Sequence, residues 1–377
     1  MRTITSTLLN AQLLVGCTGV PAGFRVPYIE TVFYSIGGSY DYSARRLFTT
    51  YTLELSETAI SKGSMTIYLL NDDNLVEDLT GSYIDLYIGD ITSVGPEGRK
   101  LPRMYVKSQN RVSSPNSFMV SVECVGQEDI LKQPYIFNTD APYHYSHWAD
   151  SSPGGIIGAV LQHNDIYLST FYNDDGQIDK QLSDFEINKT LRIPTVEEGV
   201  PQSAYSLLSP HETYEDVIVR LLWFTYQYLI AMEGQTKPWY KFVYPATVKG
   251  DRVPDLTYYS YKDPIFYEFQ HRTNLTDPNN ILVYCDIDYE LGIFNSPLLI
   301  GNAKDDDAYA KHPKVDIRWA GAVKRVGNDN AQADADTRAN VVLSRSKMNN
   351  HGGILIIPHD MRPELLDLVE VLDGRNV

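Results

Sequence analysis

Between Val26 and Leu131, apolar and polar residues alternate one by one over most of the chain. A period of two places one set of side chains on each face of a strand, whereas a helix needs a period near 3.6. Tyr51-Thr52-Leu53-Glu54-Leu55 alternates, and so does Met65-Thr66-Ile67-Tyr68-Leu69, which ends at the turn-rich Asn71-Asp72-Asp73-Asn74. Tyr83 to Ile88 closes at Gly89, and Met104 to Lys107 and Phe118 to Cys124 follow. Short strands separated by turn residues predict a small antiparallel barrel or sandwich over 26–131.

The pattern changes after Leu131. Ser152-Pro153 precedes Ile156, Ile157, Val160 and Leu161, an apolar stripe at helical spacing. Ser209-Pro210-His211-Glu212 reads as a helix start, with Ser209 as cap, Pro210 in the first helical position and Glu212 completing a capping box. That helix is expected to run through Val217, Leu221, Leu222 and Phe224 to a stop at Gly234. Strand patterns return after Pro238, in Trp239 to Tyr244, Ile265 to Gln270, Ile281 to Ile287 and Val315 to Trp319. One helix interrupts them, beginning near Asn328-Asp329, with Ala335, Ala339 and Val342 on one face and a stop at His351-Gly352-Gly353. Ile354 to Pro358 and Leu368 to Leu372 complete the series. The expected organisation is an N-terminal arm (1–25), a first β-barrel domain (26–131), a mixed helical insertion (132–236) and a second β-barrel domain with one long helix (237–377). The expected class is mixed α+β and β-rich, with two small antiparallel barrels around the insertion.

Composition narrows the function classes. The 377 residues carry a formal charge of −16. Nucleic-acid readers neutralise phosphates with Lys and Arg, so an acidic chain without a basic cluster argues against one. The same charge suits a surface past which DNA slides without sticking. There are 27 Tyr against 12 Phe and 4 Trp, a usage that fits strand faces dry on one side and wet on the other. Leu14-Val15-Gly16-Cys17 looks like a lipoprotein cleavage box, but Asn10 and Gln12 interrupt the apolar run and Arg2 alone supplies positive charge. Leu221 to Met232 is too short, and with Thr225 and Gln227 too polar, for a membrane span.

No catalytic constellation survives inspection of its spacing. Cys17, Cys124 and Cys285 are odd in number and far apart, which is neither a disulfide framework nor a zinc pattern. His144 and His147 lack a third and fourth metal ligand. Asn173-Asp174-Asp175-Gly176-Gln177-Ile178 resembles a calcium loop, yet Gly176 in its sixth position puts Phe171 first and Leu182 twelfth, where acidic ligands belong. Asp305-Asp306-Asp307 reads as a solvated loop beside Gly301 and Asn302. Gly95-Pro96-Glu97-Gly98-Arg99-Lys100 lacks the Gly-Lys-Ser/Thr ending of a phosphate loop. Asn188-Lys189-Thr190 and Asn274-Leu275-Thr276 are chance glycosylation matches without a secretion signal. The expectation is therefore a non-enzyme with no catalytic, cofactor-binding or metal-binding residue and no cofactor.

A resemblance adds to this. Thr337 to Ser346, then Gly352-Gly353, Ile354 to Pro358 and Asp367 to Asp373, resembles the C-terminal module of bacteriophage baseplate hub and tail-tip proteins, in which an Ala/Arg-rich helix leads to a strand ending in Pro and then to an acidic strand. Asp277-Pro278-Asn279-Asn280-Ile281-Leu282-Val283 is similar to another strand of that family, Ser209 to Gly234 followed by Trp239 to Tyr244 to its helix and second barrel, and Thr7 to Gln12 with Arg25 to Tyr28 to its opening. The resemblance implies a homotrimer whose two barrels per chain present a six-fold-like ring. Its implied partners are a tail tube or distal tail protein, a tip spike or fibre protein and a tape measure protein. DNA would cross the lumen without specific binding, no part of the chain would insert in a membrane, and its place would be the virion tail tip, assembled in the host cytoplasm. The rival readings are a tail-associated glycan hydrolase with carboxylates in 132–236, and a peripheral carbohydrate-binding receptor module favoured by the Tyr content.

Overall fold

The computed structural model describes residues 27–55, 59–92, 94–114, 117–133, 153–169, 213–222, 227–233, 237–243, 253–262, 264–285, 299–320, 331–348 and 351–374. The chain is β-rich and of mixed α+β class, as its periodicity predicts. The predicted arm 1–25 lies outside the described residues.

The alternating segment folds into one eight-stranded antiparallel sheet. Its strands are β1 (Pro27–Ser35), β2 (Gly38–Asp41), β3 (Arg46–Leu55), β4 (Ser61–Leu70), β5 (Tyr83–Thr92), β6 (Gly95–Lys100), β7 (Met104–Ser114) and β8 (Ser117–Gly126). The order is β2-β1-β5-β7-β8-β4-β3, with β6 also on β5. Register explains the alternation. Met65, Ile67 and Leu69 of β4 pair with Cys124, Val122 and Val120 of β8, and all six are buried. Phe33, Ile84, Leu86, Met104 and Val106 join the same cluster. Strands near both ends of the sheet feed one core, so the sheet curves around it. Burying each of these large apolar side chains contributes about 1.5–3 kcal/mol. The Asn71–Asn74 turn forms as expected: Asn74 has a φ of 57°, and the Asn71 side chain accepts from the Val76 N–H at 2.8 Å.

Gly89 does not end β5. The strand continues to Thr92 because Gly89 faces Gly98 of β6. The two backbones approach so closely that a Cβ on either residue would overlap the other strand. The Gly95–Lys100 segment, examined above as a phosphate loop, is this strand.

The middle of the chain contributes a second core. The six-residue 3-10 helix Gln127–Lys132 leads out of β8. Helix α1 (Pro153–His163) carries the expected stripe, with Ile157, Val160 and Leu161 buried. Helix α2 (Tyr214–Leu222) begins later than expected and ends earlier. Its cap is Thr213: the Thr213 hydroxyl accepts from the Asp216 N–H at 3.1 Å, and Asp216 accepts from the Thr213 N–H at 2.8 Å, a reciprocal capping box. Ser209 lies outside the described residues. The expected continuation to Gly234 is overturned, because β10 (Tyr228–Ala231) is a strand paired with β11 (Trp239–Val243). All four β10 residues are buried, and a short run without a polar face has no period to distinguish helix from strand. The two-residue strand β9 (Tyr167–Leu168) completes this sheet, parallel to β11.

The last region assembles from small sheets. Strands β14 (Asn280–Cys285), β15 (Leu299–Lys304) and β16 (Val315–Ala320) form a three-stranded sheet with β14 central, antiparallel to β15 and parallel to β16. The short helix α3 (Asp306–Lys311) links β15 to β16. Helix α4 (Ala331–Met348) lies on this sheet through Ala335, Ala339 and Val342, the predicted face, against Ile281, Val283 and Ala303. Two ribbons complete the region: β12 (Leu256–Tyr259) parallel to β18 (Val369–Leu372), and β13 (Glu268–Thr273) antiparallel to β17 (His351–Ile356). The expected strand at Ile265 starts only at Glu268, and Ile265 forms an isolated bridge with Tyr259. Gly352 and Gly353 belong to β17 rather than to a helix stop.

A polar seam joins the first sheet to the middle core. The Leu229 N–H donates to the Ala59 carbonyl at 2.8 Å, and the Ala231 N–H donates to the Ser61 hydroxyl at 2.8 Å. The Gly63 N–H donates to the buried Glu128 carboxylate at 3.1 Å, and Lys62 pairs with Glu215 at 2.8 Å. Arg345 of α4 ties in the last region. It donates to the Gln227 carbonyl at 2.9 Å, and its guanidinium lies 4.9 Å from the centre of the Tyr228 ring.

Two tests follow from this packing. A Cβ on Gly301 of β15 would overlap the Ala335 carbonyl of α4, whereas one on Gly352 meets open space. Gly301→Ala should therefore lower the urea-unfolding stability by about 1–3 kcal/mol, and Gly352→Ala should leave it within about 0.5 kcal/mol. Equal shifts would remove the close approach as the reason for the glycine. The second test concerns Glu128, whose pKa burial pushes above its ordinary value, although its own N–H and that of Gly63 pull it down. Its contribution to stability is thus complete below the unfolded carboxyl pKa and lost as pH rises through the higher folded one. Glu128→Gln keeps an acceptor for Gly63, so it should raise the melting temperature at pH 8 and not at pH 4. A pH-independent difference would show that the buried charge is not what matters.

Candidate assembly surface

The chemistry-bearing motifs that fall within the described residues have structural destinations. Among the described residues no three His, Cys, Asp or Glu side chains are grouped to hold a metal ion. His144, His147 and the Asn173–Ile178 segment lie outside the described residues, as do Cys17 and Asn188. Cys124 is buried in the first core, where desolvation pushes its thiol up to about 12 and so away from the reactive thiolate. Asn274-Leu275-Thr276 follows β13, and the Thr276 hydroxyl donates to Asp305 at 3.1 Å.

The acidic run is the one motif whose reading changes. Asp305-Asp306-Asp307 is the start of α3 and not a solvated loop. Asp305 is the N-cap, accepting from the Ala308 N–H at 3.1 Å, and Lys347 of α4 pairs with it at 3.2 Å. Burial alone would raise its pKa. The Ala308 N–H, Lys347 and Thr276 outweigh that and hold it below the ordinary carboxylate range. Asp306 and Asp307 fall in the first turn, where carboxylates oppose the positive end of the helix dipole. A cap in a six-residue helix is weakly periodic, so charge density was the stronger signal in the sequence.

A hydrolase needs carboxylates that reach a substrate. Among the described residues of 132–236, Glu215 on α2 is the carboxylate that packing buries, and Glu128 lies with it near Tyr240. Glu128 is 3% exposed and Glu215 is 9% exposed. Both serve the seam, the first holding the Gly63 N–H and the second Lys62.

The outer face of the first sheet carries an aromatic and charged panel. Tyr34, Tyr83 and Tyr105 fall in register across β1, β5 and β7. The rings of Tyr34 and Tyr83 stack at 4.9 Å, and the Arg103 guanidinium lies 3.7 Å above Tyr83. Asp85 pairs with Lys100 at 2.5 Å and with Arg103 at 3.5 Å, so these two cations are matched within the chain.

Exposed large apolar side chains lie on the first sheet, Ile36, Phe48 and Val94 among them, and also in the last region. Tyr261, Tyr267, Ile300, Val315, Ile317, Ile354 and Ile356 are all exposed there. Register places Val315 and Ile317 on the same face as Asn280 and Leu282, and Ile300 opposite Tyr284, on the side of the sheet away from α4. Ile317 is 54% exposed. Val315, Ile317 and Ile300 thus expose apolar surface on one face of this sheet. The Tyr usage of the sequence signalled such a surface in general. It gave no sign that Ile and Val would form the face.

No protein-family model matches the chain, and no curated protein matches it. Solved structures do. The 43 kDa tail protein of prophage MuSo2 from Shewanella oneidensis superposes with a TM-score of 0.54 at 13% identity, over 92% of this chain and 89% of that one. The tail protein from Neisseria meningitidis MC58 gives a TM-score of 0.56 at 10% identity, over 92% and 87% of the two chains. At such low identity the agreement is one of fold, and it extends through the first sheet, the middle core and the last region. The fold of this chain is thus that of phage tail proteins.

Proposed function

We propose that this chain is a structural hub at the tip of a phage or phage-like tail, acting by assembly and by forming a channel rather than by catalysis. The observation that carries this reading is the likeness to two tail proteins over 92% of the chain. In this reading three copies form a ring, and the two β regions of each chain present six similar positions to the tail tube on one side. The other side meets a three-fold spike or fibre. Closed rings of this kind are built from repeated, complementary patches.

Three further features support it. Among the described residues, the last region consists of small sheets that expose Ile300, Val315 and Ile317, a face that a neighbouring subunit would protect. The chain's charge of −16 suits a lumen that passes DNA without holding it. The seam and the Arg345 contact bind the two β regions into a unit that can bridge two neighbours. The tape measure protein and a distal tail protein are the expected axial partners.

Deletion of the gene from the phage genome should give particles without completed tails. Electron microscopy of intact particles should place three copies on the tail axis. Complete tails in the deletion, or a peripheral position in the intact particle, would overturn the hub reading.

A further inference from the structure

The seam between the first sheet and the middle core gathers costs that a plain apolar join would avoid. Ala59, whose carbonyl accepts the Leu229 N–H, is fully buried and holds a φ of 61°. That is the left-handed region, which an alanine Cβ opposes and which residues other than glycine occupy mainly at sites that bind or switch. Further along β4, Gly63 lies against Gly126 of β8, where a Cβ on Gly63 would come within 3.5 Å of the Gly126 Cα. The Glu128 carboxylate fills this two-glycine notch. Its Oε1 accepts from the Gly63 N–H at 3.1 Å, and its Oε2 takes the space that a Gly126 Cβ would need.

The charges around the notch do not balance. Around Glu128 stand Lys62 from β4, Asp129 and Lys132 from the 3-10 helix, Glu215 from α2, and the hydroxyls of Tyr240 from β11 and Tyr105 from β7. Lys62 pairs with Glu215 at 2.8 Å, and Lys132 pairs with Asp129 at 2.9 Å. Both lysines are thus engaged by carboxylates other than Glu128. Among the described residues of this group three acids meet two cations, and the acid left over is the most deeply buried, at 3% exposed. An ionised carboxylate buried without its own cation is costly, so the closed seam favours the protonated acid. Burial accordingly raises the Glu128 pKa, against the pull of its own N–H and that of Gly63.

We infer that the seam is a proton-locked joint: protonated Glu128 holds the first sheet to the middle core, and loss of that proton lets the β4–β10 contact part while the first sheet stays folded. The first sheet has a core cluster of its own, so it does not depend on the contact. Opening exposes Glu128 to water, where its pKa is ordinary, and so releases a proton. Opening is therefore rarest below the ordinary carboxyl pKa. It rises by at most about tenfold per pH unit up to the raised pKa and levels off above it. The joint is a property of the single chain and does not rest on the assembly reading.

Hydrogen exchange of the full-length chain tests this, read by mass spectrometry between pH 4.5 and pH 8 and corrected for the intrinsic pH dependence of exchange. Peptides carrying the Gly63, Leu229 and Ala231 amides should lose protection by about tenfold or more over that range, while those from Val120 to Cys124 of β8 keep theirs. Glu128→Gln, which keeps the shape and an acceptor for Gly63 without the charge, should abolish the change. Glu215→Gln leaves two acids for two lysines and should shrink it. Equal losses in the seam and in β8 would show a global effect and overturn the inference. Seam protection that does not fall with pH, or a fall that Glu128→Gln leaves in place, would overturn it as well. A fall that persists in full in Glu215→Gln would remove the charge imbalance as its cause.

Discussion

Everything in this fold depends on one strand serving two cores. β4 pairs with β3 along nearly its whole length and with β8 from Ser64 onward, while the residues at and just before its start also bond to β10. Ala59 and Ile60 are fully buried in the middle core, whereas Ile67 and Leu69 are fully buried in the first. A strand held at both ends in this way cannot slide by one residue without exposing both sets, because a one-residue slip turns every side chain to the opposite face. The seam is also polar where it could have been oily. Ser61, Lys62, Gly63, Glu128 and Glu215 all use charge or hydrogen bonds there, which makes the join directional as well as tight.

The last region follows the opposite principle. Its core clusters are small, and helix α4 does much of the covering on one side only. On the other side of the β15–β14–β16 sheet, Val315 and Ile317 are exposed. A two-stranded ribbon is marginal by itself in water. The ribbons β12–β18 and β13–β17 therefore depend on what they pack against, both within the chain and in an assembly. The first sheet fills one large core from many strands, whereas the last region divides its packing among small clusters.

Much of this was legible in the sequence, and the misses share a cause. Strands β3, β4 and β8 and helices α1 and α4 were readable because each has one wet and one dry side, and periodicity records that difference. Tyr228 to Ala231 has no wet side, so its sequence continues the preceding helix. Gly89, Gly352 and Gly353 read as stops, although the first allows two backbones to touch and the other two lie within a strand. Asp305 reads as solvent-facing, whereas its role depends on a lysine some forty residues away on α4. The candidate surface was less legible still. The parallel pairing of β14 with β16 aligns Leu282 with Ile317, which no local pattern in either strand records. In each case the missing information is a contact between residues distant in the chain.

The ribbon of β12 and β18 joins Leu256–Tyr259 to Val369–Leu372 in parallel. Such long-range pairs are late to form, because the intervening loop must first be closed against its entropy. During synthesis β12 leaves the ribosome well before its partner exists, and domains tend to fold as they emerge. The first sheet can thus be complete while the last region still waits for residues 369–372. A chain that stops before residue 369 would carry a finished first sheet and leave β12 without its partner.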